Sequence, residues 1–453
     1  MNAAPSPHAP HTPDAYAAIR RAVLERVEED KLDPATDVPE IRQAATRAVE
    51  SYQRRAHAGA GVALADPQAM IGRVVEAITG FGPLSDLFAR SDIEEIFIEG
   101  ERVLYIDRGG RLRGLAAPTT EPENRQIVEQ LVAGTERHLD AKSPLVQCRV
   151  LDGAARLSAA IPPIADHLSA TIRKYTLRRE TLGHLLELGS LSPEAGSFLW
   201  AAAQARTSIL VSGPPGAGKT SLLSALIAAV PTNHCIRCCE EIREISAVIT
   251  HGSFYEARQP SLDGGGEVSM RDLVKFVLSM RPDLIVVGEV RGAEAFELTR
   301  AVNAGCGFLC TVHANSARDA LGALVNAAIM AGENVSEAVV RKVFASTIDY
   351  VVHLDRDDVN RIGPDETLRR QVMEIIAVAP STMSDDFTTE PIFVRDGLGE
   401  PLRWTGARPP KADLIERALP EWMSVTGILE GRQGALDAPA RSPAGLGHQT
   451  RAV

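Results

Sequence analysis

Aromatic side chains are scarce in this chain, at 4% of 453 residues, and there are only six cysteines. A small fold stapled by disulfides needs a far denser cysteine framework, so that class is excluded. Cys306 and Cys310 lie in an apolar segment that reads as core, and the thiols are expected to be reduced. Cys235, Cys238 and Cys239 form a C-x-x-C-C cluster. No second Cys/His pair at zinc-ligand spacing follows it, so no metal or redox role is assigned. Long apolar runs are missing too, and none approaches the roughly 18 residues needed to cross a bilayer. The opening MNAAPSPHAPHTP has no basic start followed by an apolar stretch, and the expectation is a soluble, unexported protein. Basic charge is in deficit: 48 Lys and Arg against 59 Asp and Glu give a formal net charge of -11. That balance argues against a surface built for general contact with nucleic-acid backbones. What is present is 45% hydrophobic residues over a length too great for one ordinary core, which predicts two globular domains with flexible ends.

Tyr16, Ile19, Val23 and Val27 recur at helical spacing behind Asp14, a candidate cap, and a second helical stretch runs from about Ile41 to Tyr52. The Gly/Ala-rich AHAGAGVALA after it reads as a linker, with a compact domain beginning near Asp66. In that domain a helix from about Ala69 to Ile78 leads to the strands EEIFIEG and RVLYIDRGGRL, a helix from Glu123 to Leu131, then strand-like RLSAAIPPI and SATIRKY. This is a small α+β pattern, with a boundary near Arg178 and a helical connection ending near Ala205. From Thr207 the rhythm changes to buried-type strands, SILVS, HCIRC, LIVVGEV and FLCTVHA, alternating with amphipathic helices, which is an α/β sheet pattern. From about Gly431 a stretch rich in Gly, Ala, Pro and Arg has no periodicity and is expected to be disordered.

The strongest chemical signal is Gly213-Pro214-Pro215-Gly216-Ala217-Gly218-Lys219-Thr220, which fits G-x-x-x-x-G-K-[ST] between an apolar strand and an apolar helix. In that context backbone N–H groups and a helix N-terminus cradle phosphates. Lys219 would reach the β- and γ-phosphates, and Thr220 a magnesium ion. Phosphoryl transfer also needs a carboxylate at the end of a neighbouring buried strand, which Glu289 supplies after Leu284 to Val287. The carboxylate run Glu240-Glu241-Ile242-Arg243-Glu244 follows another strand-like segment; it reads equally as a solvated turn or as a source of a group that orients an attacking water. His313, at the end of FLCTVHA, is either structural or a sensor of the γ-phosphate.

Together these segments resemble the type II/IV secretion ATPase family, especially the CpaF-like ATPases of tight-adherence (Flp-type) pili. CEEIREI resembles that family's acidic box, MRPDLIVVGEVRG its atypical Walker B region and TVHANS its histidine box, in the family's order. GPLSDLF, EEIFIEG, RVLYIDRGG, AIPPI and TIRKY look like its N-terminal domain, so the resemblance covers roughly Asp66 to Trp422. It implies an α/β fold: a RecA-like P-loop ATPase domain (179–430) preceded by a smaller α+β, PAS-like domain (66–178), a flexible start and helical extension (1–65), and a tail (431–453). By the same resemblance Glu240 would be the water-activating base, Glu289 a carboxylate of the magnesium network, His313 a γ-phosphate sensor, and Arg173 and Arg258 charge-stabilising arginines. Nucleotide would be held by Gly213, Pro214, Pro215, Gly216, Ala217, Gly218, Lys219, Thr220 and Ser221, with magnesium on Thr220 and Glu289, partly through water.

The implied activity is magnesium-dependent ATP hydrolysis by a homohexameric, cytoplasmic motor. It would dock on a platform protein at the inner face of the cell membrane, without direct contact to nucleic acid. Three positions depart from the family pattern: Glu241 where Asp is usual, Ser279 where arginine is common, and Glu99 in place of a frequent asparagine. Two other readings stand beside the pilus or secretion motor. One is a conjugation or DNA-uptake ATPase, the other a nucleotide-binding scaffold that does not hydrolyse.

Overall fold

The computed structural model describes residues 13–34, 36–107, 109–175, 180–260, 265–303, 305–332, 334–357, 368–379 and 386–434. The predicted flexible start before residue 13, the boundary near Arg178 and most of the predicted tail lie outside them. The chain divides into two compact units, Met1–Thr176 and Leu177–Val453.

The first unit opens with α1 (Pro13–Asp30), α2 (Val38–His57) and α3 (Pro67–Thr79). The helix begins at Pro13, so Asp14 lies in its first turn and is not the cap the spacing suggested. Tyr16, Ile19 and Val23 of α1 share one buried cluster with Ile41 and Val49 of α2 and Met70 and Val74 of α3. The helical extension is therefore packed onto the first helix of the predicted α+β module. Asp66 caps α3 by accepting from Ala69 N at 2.9 Å. A short helix α4 (Ser85–Ala89) follows, then β1 (Ile93–Glu99), β2 (Arg102–Asp107) and β3 (Leu112–Gly114). Helix α5 (Glu121–Ala133) leads to β4 (Leu145–Val150), β5 (Ala155–Ala160) and β6 (Ser169–Lys174). These strands form one sheet in the order β3-β2-β1-β6-β5-β4 with every pairing antiparallel.

The second unit begins with α6 (Leu182–Glu187) and α7 (Pro193–Gln204), then enters the predicted alternation with β7 (Ile209–Ser212) and α8 (Lys219–Ala229). Next come β8 (Ile236–Glu240), β9 (Gly252–Glu256), α9 (Met270–Leu278), β10 (Leu284–Val287), α10 (Glu294–Asn303), β11 (Gly307–Val312), α11 (Ala317–Ile329) and α12 (Glu337–Thr347). Strands β12 (Tyr350–Arg356), β13 (Arg370–Ala379), β14 (Thr388–Val394) and β15 (Arg403–Trp404) follow, with α13 (Ala412–Ala418) and α14 (Val425–Leu429) at the end. The sheet runs β15-β14-β13-β12-β7-β11-β10-β8-β9. From β12 to β9 its pairings are parallel, and from β12 to β15 antiparallel.

Both faces of this sheet are covered, which is why its strands read as continuous apolar runs. Ile209, Val211, Leu284 and Val286 point to a core built with Phe198 of α7 and Leu222 of α8. Leu210, Ile285 and Val287 point to the other side, against Val274, Leu298 and Leu321 of α9, α10 and α11. Phe198 lies edge-on to Tyr350 at a centroid distance of 5.1 Å and is tilted against Phe393 at 5.8 Å, joining a helix to the parallel and antiparallel parts of the sheet. Phe198→Ala is therefore expected to cost about 3–5 kcal/mol, and Met330→Ala, at an exposed site, less than about 0.5 kcal/mol. Thermal denaturation of the two variants beside the parent protein checks the contrast.

Candidate active site

Strands β7, β8, β10 and β11 are parallel, so the segments leaving their carboxyl ends emerge along one edge of the sheet. Those segments carry the phosphate loop, Glu240, Glu289 and His313, which is how residues from four motifs reach one region. The predicted strand HCIRC runs on to Glu240 itself, placing that carboxylate at a buried strand end and not in a solvated turn.

The loop needs its glycines. Gly213, Gly216 and Gly218 have φ of 151°, 73° and 93°, in the region that side chains disfavour. A Cβ on Gly213 would also overlap the carbonyl oxygen of Leu354. Helix α8 begins with Gly218 at its cap in the left-handed region and no side chain hydrogen-bonded to its first turn, whereas Asp66, Thr120, Ser192 and Ser316 cap their helices. First-turn N–H groups left without a capping side chain, in an eleven-residue helix, suit an anion.

Lys219 is buried, and its Nζ donates to the carbonyls of Gly213 at 2.9 Å and Pro214 at 3.0 Å. It also lies 3.1 Å from His313 Nδ1, so the imidazole accepts there and carries its proton on Nε2. Burial, reinforced by the Lys219 ammonium, holds the His313 pKa below its ordinary value against the pull of Glu289. His313 Nε2 is 2.5 Å from Glu289 Oε1, a close contact that becomes an ion pair only when the imidazole is protonated. The other Glu289 oxygen accepts from Arg291 Nη2 at 2.5 Å, and Arg291 Nη1 reaches Glu241 at 3.2 Å. Arg291 was not singled out in the sequence, although it stands two residues beyond Glu289 in GEVRG.

Glu240 is 3% exposed. Burial pushes its pKa up to about 7, opposed by the N–H groups of Glu244 and Ile245, which donate to Oε1 at 2.8 and 2.9 Å. Oε2 is buried without a hydrogen-bond partner. The side chain lies against Gly288 so closely that a Cβ there would meet Glu240 Cγ at 2.8 Å. Thr311 Oγ1 donates to the Gly288 carbonyl at 2.6 Å, tying the ends of β10 and β11 together.

An oxygen donor set of the Thr220 hydroxyl and the Glu289 carboxylate suits a hard cation such as magnesium, with phosphate and water completing its shell. Arg258 lies beyond β9, four strands from β7, with its backbone paired to Val268. Arg173 belongs to the first unit, on β6 opposite Glu95, whose carboxylate is 3.8 Å away. The second unit thus brings together Lys219, His313 and Glu289, and sets Glu240 beside the Gly288 that precedes Glu289; Arg258 is not among them. His353, in YVVHLDR, was also missed: it is buried on β12 with Nδ1 3.0 Å from Ser212 Oγ, just before the loop.

Comparison with known proteins supplies the family. The model described as "Type II/IV secretion system protein" matches residues 94–368, more than half of the chain. A putative conjugal transfer protein of Mycobacterium tuberculosis, Rv3659c, is 32% identical over 329 residues, covering 68% of this chain and 91% of the relative. The conjugal transfer protein TrbB of Rhizobium radiobacter is 27% identical over 273 residues, 59% of this chain and 81% of its own. The X-ray structure of the Yersinia pseudotuberculosis ATPase DotB aligns with a TM-score of 0.48 and 16% identity, over 66% of this chain and 79% of that one. With the family model covering more than half of the chain, from β1 of the first unit through most of the second, and the phosphate loop lying inside the match, this chain belongs to the type II/IV secretion system protein family.

Proposed function

We propose that this chain hydrolyses ATP with magnesium and works as a hexameric motor, powering assembly of a tight-adherence (Flp-type) pilus or a type II/IV secretion machine at the inner face of the cell membrane. The observation that carries the reading is the meeting of Lys219, His313 and Glu289 beside a glycine loop whose helix start has no capping side chain. In this reading Lys219 exchanges its two loop carbonyls for phosphate oxygens. Glu240 Oε2, the buried oxygen without a partner, takes a proton from water as that water attacks the γ-phosphorus; the bridging bond to the β-phosphate breaks and ADP leaves. Magnesium on Thr220 and Glu289 would neutralise phosphate charge. Once Lys219 has moved to phosphate, His313 carries a proton on the ring nitrogen that faced it and donates to a γ-phosphate oxygen, and Arg173 and Arg258 would act from elsewhere in the ring. Closure on ATP must be favoured by contacts that hydrolysis removes, which makes the cycle a motor.

A conjugation machine is the second reading, favoured by the conjugal-transfer names of the Mycobacterium tuberculosis and Rhizobium radiobacter relatives. The net charge of -11 weighs against direct DNA contact in either case. Deleting the gene separates them: loss of surface filaments or secreted protein supports the first reading, and loss of plasmid transfer alone supports the second.

Two biochemical outcomes follow. Purified protein should hydrolyse ATP only with magnesium, more per subunit as it assembles, and Lys219→Ala should abolish turnover. Glu240→Gln should lower kcat by about 10²–10⁴. The parent rate should fall as pH drops through about 7, where Glu240 gains its proton, and a pH–rate profile flat from 6 to 8 would remove Glu240 from the base role.

The same carboxylate burdens the fold. A carboxyl with its folded pKa raised to about 7 stabilises the native state less as pH climbs from the ordinary carboxylate range to 7. Glu240→Gln, whose amide oxygen still accepts from Glu244 and Ile245, should be more stable than the parent by about 1–3 kcal/mol at pH 8, with the advantage shrinking to less than about 1 kcal/mol at pH 5. Denaturant titration at the two pH values measures this.

A further inference from the structure

We infer that Arg356 and Arg370 form a cationic clamp on the α- and β-phosphates of the bound nucleotide, on the flank of the phosphate loop opposite His313. The inference rests on the nucleotide-binding reading above and adds a part of the site that none of the sequence motifs contains.

Strand β7 lies between β11 and β12, so His313 leaves one neighbour of the loop strand and Arg356 ends the other. A Cβ on Gly216 would sit 3.5 Å from Arg356 Nε, and one on Gly218 would sit 4.0 Å from Arg370 Cδ. Both arginines therefore stand against the loop glycines whose backbone, in loops of this type, cradles the α- and β-phosphates. They are direct cross-strand partners in the β12–β13 ladder. Like charges directly opposite each other in a ladder are destabilising, and an anion bound between the two guanidinium groups would lower that cost.

The neighbouring carboxylates do not relieve that repulsion at Arg356. Asp355 accepts from the Arg356 backbone N–H at 2.8 Å, and Asp357 is taken by the Arg369 side chain at 2.9 Å. Among the described residues the Arg356 guanidinium makes no hydrogen bond or ion pair, although it is half-buried. A planar fork of donors held beside a phosphate cradle is suited to diphosphate oxygens.

The diphosphate is common to ADP and ATP, and this separates the clamp from the γ-phosphate group. Fluorescence titration of the full chain with N-methylanthraniloyl-ADP and with the imido analogue of ATP tests it. Arg356→Ala and Arg370→Ala should each weaken both ligands by about tenfold, with a shallower salt dependence than the parent. His313→Ala should weaken the triphosphate more than the diphosphate. Parent-like affinity for both ligands in both arginine variants overturns the clamp, and so does a loss confined to the triphosphate. If an alanine variant melts early, Arg356→Gln and Arg370→Gln, which keep the aliphatic stems, decide the matter on the same readout. A parent chain that binds neither ligand refutes the nucleotide-binding reading itself, and the clamp falls with it.

Discussion

The backbone of Gly213 is pressed against the carbonyl of Leu354, and the geometry of the candidate site depends on that contact. It joins the first residue of the phosphate loop to a strand that arrives about 140 residues later, and no side chain at Gly213 would allow it. Register then does the rest: Ser212 faces His353 in the β7–β12 ladder, and their side chains meet at 3.0 Å. Arg356 lies two residues past Leu354, on the same face of β12, and so comes to stand at Gly216. A slip of one residue would turn His353 into the place of Leu354 and point every one of these groups to the wrong side of the sheet. The core that holds β12 in register, with Tyr350 packed on Phe198, is therefore part of what shapes the loop.

On the other flank the coupling is electrostatic. Ammonium, imidazole, carboxylate, guanidinium and carboxylate follow one another from Lys219 through His313, Glu289 and Arg291 to Glu241. Each inner member faces partners on both sides, so a ligand that captures Lys219 also takes away the group that His313 accepts from. The imidazole nitrogen is then free to take up a proton, and as an N–H it would donate to a phosphate oxygen. An anion that drew Lys219 away would thus change the surroundings of Glu289 through His313.

Much of this was legible in the sequence because the parallel strands are buried on both faces and punctuated by glycine. SILVS, LIVVGEV and FLCTVHA became β7, β10 and β11, and the G-x-x-x-x-G-K-T loop sits between strand and helix as its pattern required. Three things were not legible. The antiparallel strands β12 to β15 went unread because periodicity has no means of saying that a chain continues a sheet it left earlier. Leu145–Val150 was missed because Leu145 is exposed and polar residues interrupt the run, although the strand pairs along its length with β5. Arg291, His353, Arg356 and Arg370 carry no motif of their own; they matter through strand order and register, which only the folded sheet defines.

The departures from the family pattern acquire physical content in the same way. Glu241 is exposed and reaches Arg291 at 3.2 Å, so the longer acid has a partner of its own. Ser279 ends α9 at its C-cap, donating to the Phe276 carbonyl at 2.7 Å, outside the groups that meet at the loop. Glu99 accepts from Ser169 at 3.1 Å and lies 3.3 Å from His167, within the first unit. Each substitution is satisfied locally, and none removes a group from the Lys219–His313–Glu289 contacts or from the pocket of Glu240. The burial of Glu240 against Gly288, which pushes its pKa up to about 7, is what the base role proposed for it calls for.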